Sequence, residues 1–167
     1  MKRLIFGLVA MLALSGCTQM IEDQNRKSHE EKISLMKCST PEISKDYQGN
    51  KKEDFANQLN YLASSVASFN RVENIKLRTV RLGLMNNADS KEAISSIIKC
   101  TSTQKNKVLQ LVQPIFENRK KLTKDKTEKE YLIKAYSEWE SYIKNNSGND
   151  DQERTKYDAA ISMYKNY

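Results

Sequence analysis

Apolar positions along the chain change rhythm repeatedly, and each change marks an element. Residues 4–14 are apolar almost without interruption, eleven residues behind Lys2 and Arg3. A helix needs about 20 residues to cross roughly 30 Å of hydrocarbon, so this run is too short to span a bilayer. It has the form of a signal h-region behind a positive n-region. Residues 18–27 are polar and aperiodic and read as a tether, reaching roughly 30–35 Å if extended. Order is predicted from Ser28, because Ser28-His29-Glu30-Glu31 has the form of a capping box: hydroxyl and carboxylate each satisfy a backbone N–H that the first helical turn leaves without a partner. Ile33, Met36 and Lys37 supply a short face that ends at Cys38, Pro41 breaks it, and residues 39–51 form a loop or a short helical turn.

From Phe55 the rhythm becomes helical. Phe55, Leu59, Leu62, Val66 and Phe69 step by four, three, four and three residues, a coiled-coil-like stripe. The stripe is predicted to continue through Val72, Ile75, Thr79 and Leu82 after a one-residue slip, although Ile75 to Arg78 also alternates like a strand. No glycine or proline falls between 51 and 82, which favours helix, and Gly83 with Asn86-Asn87 closes it. A second capping box, Asp89-Ser90-Lys91-Glu92, opens a helix with Ala93, Ile94, Ile97 and Ile98 inward and Cys100 near its end. Thr101 to Gln104 is predicted to start a further segment, with Val108, Leu111, Val112, Ile115 and Phe116 on one face. That face keeps its phase across Pro114, so a kink rather than a stop is expected there. Residues 119–126 read as a basic connection. Thr127-Glu128-Lys129-Glu130 is a third box, followed by Leu132, Ala135, Tyr136, Trp139, Tyr142 and Ile143 on one side. Asn145 to Asn149 reads as a turn. Asp150 to Glu153 caps a last helix that carries Tyr157, Ala160, Ile161 and Tyr164.

These elements predict an all-α fold: a single bundle of four to six helices behind a flexible N-terminal tether. Five glycines and two prolines in 167 residues disfavour turn-dense β architectures. The chain carries 28 basic and 21 acidic side chains. Removing residues 1–16 takes away Lys2 and Arg3 and leaves a balance of +5 over about 150 residues, the size of one domain.

Leu14-Ser15-Gly16-Cys17 ends the apolar run with two small residues and a cysteine, where an ordinary signal would carry an Ala-x-Ala-like site. The arrangement resembles the lipobox of bacterial lipoproteins. The resemblance implies that Cys17 Sγ takes a diacylglyceryl group and that residues 1–16 are removed. It also implies a lipidated tether over 17–27, leaving residues 28–167 as the helical domain. One acyl chain anchors only marginally, while a second, at about 0.8 kcal/mol per buried methylene, makes attachment stable. In enterobacterial lipoproteins an Asp directly after the acylated cysteine favours inner-membrane retention. Thr18 stands here, so the resemblance implies the outer membrane, with the domain facing the periplasm or the cell surface.

Two cysteines remain, Cys38 and Cys100. In an exported protein an even pair implies a disulfide; the alternative is two separate buried thiols. A metal site is not expected, because the one histidine, His29, lies beside the tether. No cofactor is implied. Gly-x-Ser-x-Gly and phosphate-cradling glycine loops are missing from the sequence, and no cysteine is left over for a Cys–His pair. Carboxylates such as Glu138 and Glu140 sit among lysines on helices, as solvated pairs do.

The last two helices hold six of the eight tyrosines and the only tryptophan. Most of these rings would pack the hairpin. Alternatively Tyr131, Tyr157 or Tyr167 surfaces as a partner-binding patch. Arg71, Lys76, Arg78, Arg81 and Arg119-Lys120-Lys121 form either a solvated face or a contact for acidic lipid headgroups or an acidic protein. Nucleic acid does not fit an exported compartment. The leading expectation is a non-catalytic envelope lipoprotein that binds a protein partner in an assembly, chaperone, scaffold, exclusion or immunity role. The alternatives are a helical carrier of a small apolar ligand or lipid, and an envelope enzyme of unrecognised type.

Overall fold

Thirty residues without glycine or proline form one unbroken helix, α1, from Lys52–Arg81. Its first turn carries Glu53 and Asp54 and its last carries Arg78 and Arg81, charges that match the helix dipole at both ends. The computed structural model describes Cys38 and residues 51–82, 87–147 and 151–167, within a compact unit that runs from Cys38 to Tyr167. Three further helices complete it: α2 at Asn87–Leu122, α3 at Lys126–Asn145 and α4 at Asp151–Asn166. No strand occurs among the described residues. The Ser28 capping box, the Ile33–Met36 face, Pro41 and Cys17 lie outside the described residues, as do Gly83 and Asp150.

Short connections make consecutive helices antiparallel neighbours. α1 pairs with α2 and α3 pairs most extensively with α4, while α1 also packs on both α3 and α4. The shared core takes Phe55, Leu59, Leu62 and Val66 from α1 and Val108, Val112 and Phe116 from α2. The other hairpin gives it Leu132, Ala135, Trp139, Tyr142, Ile143, Tyr157, Ile161 and Tyr164. Burying a large apolar side chain stabilises by about 1.5–3 kcal/mol, and these rings and branched chains lie in a single cluster. Two polar bridges fix how the hairpins meet. Trp139 Nε1 donates to the Leu59 carbonyl at 3.0 Å, joining α3 to α1. Arg119 on α2 donates to Tyr164 Oη on α4 at 3.1 Å and to Glu128 on α3 at 2.6 Å.

Several sequence expectations are corrected. The inward face of α1 does not slip after Phe69; its four-three spacing runs on through Glu73 to Val80, and all three are buried. Val72, Ile75 and Leu82 point outward instead, at 46%, 63% and 81% exposure. The inward phase is occupied there by polar groups with partners: Asn70 bonds to Asn146, and Glu73 pairs with Lys76 at 2.8 Å. On α2, Ala93 and Ile97 are buried while Ile98 is 56% exposed.

No new helix starts at Thr101. Its hydroxyl bonds back to the Ile97 carbonyl at 3.0 Å, a bond made inside a helix rather than at its start. α2 therefore passes through this point, and through Pro114, as one helix of 36 residues. The connection that follows is only residues 123–125. α3 is capped by Asp125, not Thr127: the Asp125 carboxylate accepts from the Glu128 N–H at 2.7 Å. That carboxylate is held below its ordinary pKa, mainly by this backbone bond.

Candidate functional site

α3 ends against the middle of the first hairpin, and the junction is asparagine-rich. Asn70 and Asn74 sit one turn apart on α1 and so share a face, and Asn146 follows α3 directly. Asn70 Nδ2 donates to the Asn146 carbonyl at 2.9 Å and to Asn146 Oδ1 at 3.0 Å. Asn74 Nδ2 donates to the Ser147 carbonyl. From α2, Lys105 Nζ donates to the carbonyls of Asn146 at 2.7 Å and Lys144 at 3.1 Å. A cation over the open carbonyls of a helix C-terminus is favoured by the helix dipole. Half-burial nevertheless lowers the Lys105 pKa from its ordinary value by desolvation.

These groups line a surface cleft of about 310 Å³, walled by Leu77, Ile98, Thr101, Ser102 and Asn145 as well. A second groove of about 550 Å³ continues along α2 past Ile98 and Ser102 to Ile94, Lys99 and Lys91. Two buried acceptors have no donor among the described residues, Asn70 Oδ1 and Gln58 Oε1. Asn70 is the one that lines the cleft. The Lys105 ammonium has three N–H donors, two of which are used on Lys144 and Asn146.

The sequence-predicted site residues fall elsewhere. Tyr157 is a core residue at 0% exposure, so the expectation that it surfaces is overturned. Its position one turn before Ile161 and two before Tyr164 turns it into the α3–α4 seam. There it stacks on Tyr142 at 5.9 Å and its hydroxyl donates to Asn60. Tyr131 is half-buried and its ring packs on Tyr167 at 5.4 Å; Tyr167 is 53% exposed. This pair stands near the start of α3, about 22 Å along the helix from the cleft. Cys38 is joined to Cys100 by a disulfide, with Cα atoms 5.7 Å apart across 62 positions. No group of three or more metal-ligating side chains occurs among the described residues.

The sequence reading missed the asparagine cleft. Its signal was present at Asn70 and Glu73, polar residues in the apolar phase of α1, and the supposed slip in register concealed it.

Residues 1–18 match the prokaryotic membrane lipoprotein lipid attachment site, a match that takes in Cys17. The molecule is thus an all-α bundle carried by a bacterial lipoprotein, anchored to the cell envelope through lipid. No curated protein and no solved structure matches the chain.

Proposed function

We propose that this lipoprotein is a non-catalytic binding module, and that the asparagine–lysine cleft receives an extended segment of an envelope protein partner. One observation carries the reading. Asn70 Nδ2 and Lys105 Nζ reach the same Asn146 carbonyl, and each side chain retains hydrogen-bonding capacity that no described residue uses. The third N–H of the half-buried Lys105 ammonium, in the cleft lining, is the complement of a peptide carbonyl. Leu77 and Ile98 provide an apolar wall for a side chain on that segment.

The side chains along the bundle axis, Trp139, Leu132, Leu59 and Tyr164, are fully buried against one another. That packing directs the reading to the surface rather than to an interior ligand. The exposed Tyr167, with Tyr131 beneath it, is a second contact surface, since tyrosines are favoured at hot spots. Outer-membrane placement is part of the proposal and rests on Thr18 following Cys17.

The test uses the full lipidated chain in living cells, with a photo-crosslinking side chain at Ile98 and a control at the exposed Lys156. A protein adduct at position 98, absent at 156 and abolished by Ser102→Arg in a chain of unchanged melting temperature, is the expected result. An adduct that survives Ser102→Arg, or none at position 98, would overturn the cleft as the binding site.

A further inference from the structure

α1 and α2 run on past the point where α3 ends. From Asn70 to the end of α1 is about 16 Å of helix, and from Lys105 back to the start of α2 about 27 Å. In this distal half Val80, Ala93, Ile97 and Cys100 are buried but stand outside the main cluster. Its outward face on α1 is unlike an ordinary solvated face. Val72, Ile75 and Leu82 recur at three- and seven-residue spacing and are 46%, 63% and 81% exposed. Arg71, Arg78 and Arg81, all exposed, lie along and beside this stripe and form no ion pair among the described residues. The one acid between residues 71 and 82, Glu73, is turned inward and paired with Lys76.

We propose that this face docks on the anionic phospholipid headgroups of the leaflet that holds the lipidated N-terminus. Two observations select a membrane over other occupants. An apolar stripe bordered by arginines is the pattern of a helix lying in the interface, with aliphatic side chains among the acyl ends and guanidinium groups at the phosphates. The chain arriving from the anchor is also tied to this half of the molecule, because Cys38 is bonded to Cys100. Cys100 lies in the part of α2 that faces residues 70–77 of α1, as the shared cleft lining shows. The arginines would act within the roughly 8–10 Å over which a headgroup charge is felt. A lipid and a basic patch together make the two signals that stable attachment takes. Val72, Ile75 and Leu82 lie outside the lining of the asparagine–lysine cleft.

The experiment is vesicle co-sedimentation of the mature chain, residues 17–167 with Cys17→Ser, on phosphatidylcholine vesicles with and without phosphatidylglycerol. Binding is expected only with phosphatidylglycerol and should weaken as salt rises. Each arginine near the surface strengthens partitioning by about fivefold. Arg71→Glu/Arg78→Glu/Arg81→Glu should therefore reduce it on the order of 100-fold, with helicity and melting temperature retained. Lys156→Glu/Lys165→Glu, on α4, should leave binding unchanged. Leu82→Trp in the lipidated chain gives a second reading: its fluorescence should be quenched by brominated lipid, whereas the buried Trp139 is not. Equal binding to both vesicle types, no binding, or equal loss in the α4 variant would overturn the proposal. So would an α1 variant that binds lipid normally but loses a protein adduct, which would make this face a protein interface.

Discussion

Removing Trp139 is the sharpest test of how the two hairpins are held together. The indole is fully buried on α3, donates its N–H to the Leu59 carbonyl on α1 at 3.0 Å, and stacks on Tyr136 at 5.7 Å. Trp139→Ala deletes the ring, the bond and the stack. Truncating a buried aromatic to alanine costs about 3–5 kcal/mol, of which the bond supplies about 0.5–1.5 and the ring pair about 0.5–1.5. Trp139→Phe keeps a ring and loses the N–H. The Leu59 carbonyl retains its helical partner four residues on, so no buried acceptor is orphaned. The lost bond, with two or three ring atoms at about 0.8 kcal/mol per methylene-sized group, gives about 2–4 kcal/mol. At about 4 °C per kcal/mol for a domain of this size, Trp139→Ala should lower Tm by roughly 12–20 °C and Trp139→Phe by roughly 8–16 °C. Thermal and urea unfolding followed by circular dichroism measure both, and a lower urea midpoint at unchanged slope identifies a change in stability. A loss of less than about 1 kcal/mol in Trp139→Ala, well under the buried-aromatic range, would refute the role given to this residue.

Cys17→Ser should abolish metabolic labelling with palmitate and release the chain from the membrane fraction; label at the wild-type level would contradict lipid anchoring at this cysteine. Cys38→Ser or Cys100→Ser should each remove a mobility difference between reducing and non-reducing gels. The bridge spans 62 positions, so the chain-entropy relation puts its contribution at up to about 4 kcal/mol, visible as a lower melting temperature. Alkali should unfold the bundle. Burial raises the phenol pKa values of Tyr157 and Tyr164, with Arg119 opposing the shift at Tyr164. Burial, with Glu140 and Glu117 nearby, pushes Tyr136 up to about 12. Above the ordinary tyrosine pKa of about 10 the unfolded chain releases protons that the folded chain keeps. This contribution is therefore complete below about pH 10 and lost as pH rises through the folded pKa values. Tyrosinate absorbance should appear together with loss of near-ultraviolet dichroism; ionisation of all eight tyrosines before any unfolding would contradict the burial of these phenols.

Helical class, the α3–α4 hairpin and the lipid-attachment signal were legible in the sequence, because each depends on neighbours within a few residues. The stripe from Phe55 to Phe69 is a local four-three pattern and packs as that pattern requires. What followed Phe69 was not legible. Hydrophobicity alone assigns Val72 and Ile75 to the core, whereas tertiary packing turns Asn70 and Glu73 inward. The reason is that burying a polar group is tolerable once it has a partner, and Asn70 finds its partner 76 positions away at Asn146. The ends of α2 and α3 were misplaced for a related reason. A Ser, Thr or Asp that can cap a helix can also bond within one, and Thr101 and Asp125 each used the option that the helix spacing missed. Tyr157 likewise matches both an exposed hot spot and a core ring by type, and only the closeness of α3 to α4 makes it core. The sequence thus determined which segments are helical and how the chain is anchored. Tertiary structure decided which face of each helix meets another, because pairing between distant polar groups is not encoded in any local period.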